Sequence, residues 1–376
     1  MTPRNENELA EVIRAASGPL RVQGGGTRDV GAPVDGEVLS TAGLSGVTLY
    51  EPGAMTLVAG AGTPVAELEM LLAEEGQRLA FEPSDLRGLL GTSGGSTIGG
   101  VVATGASGPR RIQAGAVRDF CLGVRFVDGA GRVLKNGGRV MKNVTGYDLV
   151  KLMAGSWGTL GVLSEVSLKV MAIPETETTL VGEGLSPADA VAAMSAALGS
   201  PFDITGAAHL EGKTCIRIEG LEASVAYRAR ALADDVLPGF QPVEATASAA
   251  LWAGIRDVRV FAGADGAVWR VSVKPTDGPK LVHALGDLAH EAVFDWGGGL
   301  VWLRVDETRD GDAGATAIRA ALAPLGGHAT LMRATAQTRA RVPVFQPEPA
   351  PVAALSRGLR NKFDPRGILN PGLMGA

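Results

Sequence analysis

Residues 22–29 read V-Q-G-G-G-T-R-D, and residues 92–109 read T-S-G-G-S-T-I-G-G-V-V-A-T-G-A-S-G-P. Both stretches are dense in glycine, which permits positive φ and lets the backbone approach a ligand closely. Loops of this kind form concave nests of N–H groups that hold phosphate. Two such loops from separate parts of the chain can approach one large anionic ligand together. The pair therefore predicts a site for a dinucleotide cofactor.

Other glycine signatures fit less well. A Rossmann G-x-G-x-x-G beginning at Gly24 would need glycine at position 29, where Asp29 stands. A Walker A motif ending at residues 212–214 would need an earlier glycine where Ala207 stands. G-x-S-x-G does occur around Ser93, so a serine hydrolase stays open as an alternative. That motif requires a strand before the serine and a helix directly after it, and the glycines that follow predict a poor helix.

Composition excludes several other classes of protein. A hydrophobic content of 45% with 20% charged residues is enough for a packed core in a chain of 376 residues, which favours two domains. The net charge of −5 and an aromatic content of 5% argue against a nucleic-acid partner. No basic leader and no apolar stretch of spanning length is apparent, so we expect a soluble, cytoplasmic protein.

Metal and disulfide chemistry also find little support. Cys121 and Cys215 lie far apart without a C-x-x-C pair, which predicts a reducing compartment and no iron–sulfur or structural zinc site. The histidines have no metal-ligand spacing such as H-E-x-x-H, so we predict no metal site; they are His209, His283, His290 and His328.

Hydrophobic periodicity predicts an α+β protein. The expected helices are residues 6–16, 64–75, 187–198, 222–237, 280–289, 313–323 and 352–363. The expected strands are residues 20–23, 56–61, 122–127, 133–134, 164–171, 179–181, 215–218, 267–273 and 300–305. Thr63 is the expected N-cap of the second helix, with Pro64 as its first helical residue. A change of pattern at Ile173-Pro174 predicts domains at 1–173 and 174–345, the second an antiparallel sheet covered by helices, and residues 346–376 as a C-terminal helix and tail.

Four stretches together resemble the FAD-binding family named after vanillyl-alcohol oxidase and p-cresol methylhydroxylase. They are V-Q-G-G-G-T; F-E-P followed by S-T-I-G-G-V-V-A-T-G-A-S-G-P; M-K-N-V-T-G-Y-D-L with G-S-W-G-T-L-G; and the closing K-F-D-P-R-G-I-L-N-P-G. The resemblance spans the chain and implies a two-part FAD-binding domain of the p-cresol methylhydroxylase type followed by a cap domain. Within the family, the match over the whole chain, including S-G-P-R-R and G-A-V-R-D-F between Ser107 and Phe120, most resembles the FAD-binding subunits of bacterial glycolate oxidases.

The resemblance also implies the cofactor site. Residues expected to bind FAD are Gly24, Gly25, Gly26, Thr27, Pro83, Ser96, Thr97, Gly99, Gly100, Ser107, Gly108, Gly158, Gly161, Val162 and Asn370. No histidine precedes position 209 and Cys121 lies in an apolar strand, so we expect the FAD to be non-covalent. Candidates for the catalytic site are Arg110 and Arg111, which suit a substrate carboxylate, and Asn370. A solvated pair or a subunit contact is an equal interpretation of the two arginines.

The function implied is oxidation of glycolate, a small 2-hydroxy acid, to glyoxylate. The implied partners are a related, larger flavin subunit and an iron–sulfur subunit, which would place the chain peripherally on the inner membrane. Two departures weaken the parallel. Trp157 stands where hydroxy-acid dehydrogenase relatives carry a glutamate, and their histidine metal site is missing. A self-sufficient FAD-dependent hydroxy-acid or alcohol oxidoreductase and a non-catalytic structural subunit therefore stay open.

Overall fold

A computed structural model describes residues 1–139, 146–289 and 291–375. Helices and strands alternate along the chain, and the two glycine loops lie between them, one after β1 and the other between α3 and α4. The helices are α1 Glu6–Ala15, α2 Val65–Glu74, α3 Arg87–Leu90, α4 Ile98–Thr104, α5 Arg111–Ala114, α6 Val117–Phe120, α7 Leu149–Met153, α8 Pro187–Leu198, α9 Glu222–Asp235, α10 Ala245–Arg256, α11 Gly278–Leu285, α12 Ala315–Leu322, α13 Ala336–Arg341 and α14 Ala350–Phe363.

Within these ranges the strands form two large antiparallel sheets and two small sheets. The strands are β1 Leu20–Gln23, β2 Glu37–Ser40, β3 Val47–Glu51, β4 Thr56–Gly60, β5 Gln77–Arg78, β6 Cys121–Val127, β7 Val133–Gly137, β8 Val162–Lys169, β9 Met171–Ala172, β10 Thr176–Glu183, β11 Ile204–Leu210, β12 Lys213–Gly220, β13 Gln241–Val243, β14 Ala267–Ser272, β15 Glu291–Asp295, β16 Leu300–Val305 and β17 His328–Arg333.

The N-terminal part is built on a sheet with the order β3-β4-β8-β6-β7. Its apolar core includes Leu57, Leu68, Val101 and Val166, which join β4, α2, α4 and β8. Beside it, β1 and β2 pair in parallel. The C-terminal tail returns to this small sheet through a parallel bridge between Leu20 and Leu369. Strand β1, which leads into the first glycine loop, is therefore held against the C-terminal tail.

The second large sheet has the order β13-β10-β12-β11-β15-β16-β14-β17. Residues of β12 alternate between its two faces. Ile216 and Ile218 enter an apolar core that also holds residues of α8 and α9. Arg217 and Glu219 lie on the opposite face, where they contact Glu82 and Arg110 of the N-terminal part. The polar face of this sheet is therefore the one turned toward the glycine loops.

The architecture confirms the α+β prediction with its antiparallel second sheet and covering helices. The domain boundary after residue 173 stays a prediction, although β10 begins close by, at Thr176. Most predicted elements form within a few residues of the expected bounds. The predicted 280–289 helix is shorter, ending at Leu285, where Gly286 adopts a positive φ of 51°.

Two local predictions are wrong. Pro64, not Thr63, takes the N-cap position of α2, and no side chain caps that helix. The Thr63 hydroxyl instead donates to the Gly60 carbonyl at 2.7 Å and accepts from the Gly46 N–H at 2.9 Å. The glycine-rich stretch after Ser93 also does form a helix, α4, whose second residue is Gly99. A Cβ on Gly99 would lie 2.6 Å from the Ala61 side chain, so glycine allows this helix to pack directly on the chain after β4.

Candidate functional site

The two glycine loops meet at a cavity of about 340 Å³. It lies between the end of β1, α4, the loop after α7 and the C-terminal tail. Ten of the residues expected to bind the cofactor line it: Gly24, Gly25, Gly26, Thr27, Thr97, Gly99, Gly100, Gly158, Gly161 and Asn370. The structure does not place Pro83, Ser96, Ser107, Gly108, Val162, Arg110 or Arg111 on its wall. Residues 141–145 of the third family stretch, M-K-N-V-T, lie outside the described residues.

The loops touch backbone to backbone. A Cβ on Gly25 would lie 1.6 Å from the Gly95 carbonyl oxygen, and a Cβ on Gly94 would lie 2.4 Å from the Gly25 oxygen. Any larger residue would force the loops apart. Among the described residues, the backbone N–H groups of residues 24–27 donate to no other protein group. The first loop thus offers successive free donors to a ligand in the cavity.

The second loop contributes differently from the prediction. The N–H of Gly99 donates to the Ala61 carbonyl at 2.8 Å, and the N–H of Gly100 donates to the Thr97 hydroxyl at 3.3 Å. Both glycines line the cavity, but their amide groups already have partners. Their role is close packing rather than hydrogen bonding to a ligand.

Arg28 is a cavity residue that sequence reasoning missed. Its guanidinium donates to the Ser96 hydroxyl and to the Ser84 carbonyl, both at 2.7 Å, while its Nε atom is buried without a partner. Burial lowers the pKa of Arg28 to about 10, and within the described ranges no carboxylate lies in ion-pair distance of it. A buried cation without a counterion beside free N–H groups is suited to an anion. Its position directly after G-G-G-T was the available signal.

Asn370 clamps the cavity wall. Its side-chain oxygen accepts from the Val22 N–H at 2.8 Å, and its side-chain nitrogen donates to the Trp157 carbonyl at 2.8 Å. Its backbone has a φ of 45°, in the left-handed region that asparagine tolerates better than most residues. Because both ends of the amide are engaged by backbone, the structure gives Asn370 a positioning role in place of the catalytic one predicted.

The fate of Arg110 also corrects a prediction. Its Nε and Nη2 atoms donate to the two carboxylate oxygens of Glu219 at 2.8 and 2.7 Å, and its Nη1 lies 3.1 Å from Glu82. The side chain is almost fully buried between the two large sheets. Arg110 is therefore buried and paired with two protein carboxylates, which makes it unsuited to binding a substrate.

Arg111, the next residue, has a different environment. Its guanidinium carbon lies 4.4 Å from the ring centroid of Trp296, and that of Arg270 lies 5.1 Å from the same ring. Asp295, directly before Trp296, is 3% exposed and accepts from the Trp296 N–H at 2.7 Å. Burial raises the pKa of Asp295 to about 7. Sequence reasoning missed Arg270, Trp296 and Asp295 because no local motif surrounds them.

The remaining candidates find no support in the geometry. Ser93 follows the short helix α3 and precedes α4 by a loop, so the strand–turn–helix elbow that a hydrolase needs does not form. Cys121 and Cys215 are buried thiols, and burial raises the pKa of each to about 12. The described residues contain no cluster of histidine, cysteine and acidic side chains that would hold a metal ion. The His209 ring instead pairs with the Thr214 hydroxyl at 2.9 Å, and His290 lies outside the described ranges.

Comparison with known proteins agrees with this geometry. A family described as FAD binding domain matches residues 1–137, which include both glycine loops. Glycolate oxidase subunit GlcE of Escherichia coli is 35% identical over 370 residues, covering 97% of this chain and 96% of the relative. The chain belongs to the glycolate oxidase subunit GlcE family. It therefore contains an FAD-binding domain, and FAD is its cofactor.

More distant relatives of this GlcE-family chain cover less of it. Glycolate oxidase subunit GlcD of Bacillus subtilis is 31% identical over 187 residues, 48% of this chain and 38% of the relative. The mitochondrial D-lactate dehydrogenase [cytochrome] of Arabidopsis thaliana is 30% identical over 185 residues, 48% of this chain and 31% of the relative. These relatives are FAD-linked oxidoreductases by family and support the same class for this chain.

The fold has a structural counterpart over almost its whole length. A structure of alkyldihydroxyacetonephosphate synthase superposes with a TM-score of 0.71 at 17% identity, covering 99% of this chain and 75% of that one. At this identity the likeness concerns the fold alone. In the part of the chain that the structure describes, none of the helices has the length and hydropathy needed to cross a membrane.

Proposed function

We propose that this chain is the FAD-binding subunit of a glycolate oxidase complex and takes part in oxidising glycolate to glyoxylate. The observation that carries the proposal is the 35% identity to the GlcE subunit across 97% of the chain. A local likeness limited to the glycine loops would support FAD alone. A likeness that includes the second sheet and the tail supports the same role within a complex.

The residues of the cavity fit the cofactor. The free N–H groups of residues 24–27 and the guanidinium of Arg28 would hold the negatively charged diphosphate, whereas Asp29 of the same wall is already paired with Arg339 at 2.8 Å. Among the described residues, the cavity lining contains no histidine or cysteine, so we propose non-covalent binding. Trp157 packs edge-on against Phe345 at 5.3 Å and would form part of the wall beside the cofactor.

The reaction removes a hydride from C2 of glycolate and a proton from its hydroxyl, leaving the aldehyde. FAD supplies the acceptor for the two electrons when it is bound. The chain must orient the substrate carboxylate and exclude water. We further propose that electrons pass to an iron–sulfur subunit, that a related larger flavin subunit completes the complex, and that these partners hold the chain at the inner membrane. The described cysteines, both buried and far apart in sequence, offer no cluster site of their own.

The test is to purify the chain and record its visible spectrum before and after acid precipitation. The proposal expects flavin absorbance that moves wholly to the supernatant. An Arg28→Met variant should carry less flavin, whereas Arg132→Met, an exposed arginine elsewhere, should not. Pellet-bound flavin would contradict non-covalent binding.

The second stage adds glycolate anaerobically, first to the chain alone and then to the chain with its partners. Bleaching only in the complex supports the proposal in full. Bleaching and turnover with an artificial acceptor by the chain alone would favour a self-sufficient oxidoreductase. A colourless chain that FAD does not reconstitute, alone or in the complex, would favour a structural subunit.

A further inference from the structure

Two arginines from different parts of the chain lie at one tryptophan ring. Arg111 begins α5 in the N-terminal part, whereas Arg270 lies on β14 in the second sheet. Their guanidinium carbons are 4.4 and 5.1 Å from the centroid of the Trp296 ring. The Trp296 Nε1 atom donates to the Gly108 carbonyl at 3.1 Å. This hydrogen bond crosses the surface along which the N-terminal part contacts the second large sheet, which we call the seam.

Neither guanidinium has a carboxylate within ion-pair distance among the described residues. In the same ranges neither the Arg111 nor the Arg270 guanidinium donates a hydrogen bond to a protein group, and both lie against the Trp296 ring. Nearby Arg110 and Arg217 are each paired with both oxygens of a glutamate. Arginines at the same interface thus differ: Arg110 and Arg217 form ion pairs with glutamates, whereas Arg111 and Arg270 do not.

Holding the two cations together is unfavourable without an anion. Burial and the nearby charge of Arg111 lower the pKa of Arg270 to about 10, and burial lowers the pKa of Arg111. Both residues are nevertheless partly exposed, so a small solute can reach them. Asp295 does not neutralise them: it accepts from the Trp296 N–H, and no ion pair joins it to either arginine.

The chemistry of the pair selects the ligand. A guanidinium group presents parallel N–H donors in one plane, a geometry that matches the two oxygens of a carboxylate. Two guanidinium groups can therefore donate hydrogen bonds to one carboxylate from two sides. The Trp296 ring, which both guanidinium groups contact, would form one wall of such a site.

We propose that Arg111 and Arg270, held at Trp296, form the site that binds the carboxylate of a small 2-hydroxy acid in this chain. The inference rests on the proposed function, since it names the residues that recognise its substrate. It assigns to Arg111 the role that sequence analysis divided between Arg110 and Arg111, and it adds a partner from the second sheet.

The experiment titrates the FAD-loaded protein, alone and in its complex, with glycolate and with oxalate, a carboxylate that lacks the oxidisable C–H bond. Binding is read from the flavin spectrum and by calorimetry. Arg111→Gln and Arg270→Gln should each weaken both ligands about 10- to 100-fold, the loss expected for charge-assisted hydrogen bonds. Arg270→Lys, which keeps the charge without the fork, should give an intermediate loss. Arg304→Gln is the control, because Arg304 pairs with Glu291 on the same sheet.

The flavin content and melting temperature of each variant are measured alongside. Unchanged carboxylate affinity in Arg270→Gln or Arg111→Gln, or failure of the wild type to bind either carboxylate, would overturn the inference. The inference would also be overturned if either variant lost FAD but kept its affinity for glycolate, or if the wild type bound inorganic phosphate more tightly than oxalate. A wild-type complex that binds glycolate through these arginines without oxidising it would refute the proposed function and leave the site standing.

Discussion

The guanidinium of Arg110 and the carboxylate of Glu219 form a two-pronged ion pair, with N–O distances of 2.8 and 2.7 Å, across the seam between the two large sheets. Glu219 also accepts from Arg78 at 2.7 Å, and Arg217 pairs with Glu82 at 2.9 and 3.0 Å. The cluster joins three arginines to two glutamates. It fixes how the second sheet faces the N-terminal part, and hence how Arg270 meets Arg111.

Removing one charge from this cluster should be costly. Burial opposes ionisation of Glu219, but the hydrogen bond from Arg110 and the charges of Arg217 and Arg78 outweigh it and hold its pKa well below the usual range. Glu219→Gln should therefore lower the free energy of unfolding by about 3–5 kcal/mol, because it leaves buried arginine charge unpaired. Denaturant unfolding at pH 7 measures the loss.

The matched control is Glu291→Gln, which breaks a more exposed pair with Arg304 and should cost less than about 1 kcal/mol. The stability from Glu219 is present above the pKa of the unfolded carboxyl, near 4.5, and is lost as the pH falls toward the lower pKa of the folded state. Equal losses in both variants would show that the cluster does not hold the seam.

Gly25→Ala should disrupt the cofactor cavity. The new Cβ would lie 1.6 Å from the Gly95 carbonyl oxygen, and backbone cannot yield as a flexible side chain does. Separating the loops should weaken FAD binding about tenfold or more. Gly53→Ala, where a Cβ meets nothing within 4 Å, is the control. The FAD-to-protein ratio and a FAD titration of the apoprotein measure the effect, and equal affinity in both variants would contradict it.

Asn370→Ala should loosen the tail from the cavity wall. It removes the hydrogen bonds to the Val22 N–H and the Trp157 carbonyl and leaves alanine at a φ of 45°. The expected loss is about 2 kcal/mol in the free energy of unfolding, with weaker FAD binding. Asn370→Gly should recover only the part of the stability loss that comes from alanine at a positive φ. Asn361→Ala, on the exposed side of α14, should change neither the free energy of unfolding nor FAD binding. An Asn370→Ala variant with unchanged stability and FAD affinity would show that these hydrogen bonds do not hold the tail to the wall.

Asp295 should make stability fall as the pH rises. Its folded pKa of about 7 lies above the ordinary aspartate value of 3.8 because burial disfavours the charged form. The folded protein therefore holds a proton that the unfolded chain releases, and stability declines between those values and levels off above about 7. At about 1.4 kcal/mol per pKa unit, the difference is at most about 4 kcal/mol.

Asp295→Asn keeps an oxygen acceptor for the Trp296 N–H but does not titrate. The difference in free energy of unfolding between this variant and the wild type should grow in favour of the variant by about 1–4 kcal/mol from pH 4.5 to pH 8, as measured by denaturant unfolding. Asp235→Asn, at an exposed helix end, should give a constant difference over the same range. A constant difference for Asp295→Asn as well would mean that the carboxyl ionises normally.

Much of the site could be predicted from the sequence because its signals are local. Three successive glycines and the later G-G pair mark places where backbone meets backbone, and Gly25 and Gly99 occupy such places. Alternation of apolar residues over 164–171 predicted β8, and the Ser186-Pro187 signal predicted α8, whose N-cap the structure confirms. Each of these patterns acts over a few residues, which is why the sequence alone is sufficient.

What the sequence by itself determined, then, was the fold class, the cofactor and the two glycine loops that meet at the cavity. Only the tertiary structure decided how adjacent arginines differ: Arg110 is bound by Glu219, while Arg111 stands without a counterion beside Trp296. The difference depends on which side chains of a sheet more than a hundred residues away lie opposite each arginine. Long-range packing sets that pairing, and no local pattern encodes it.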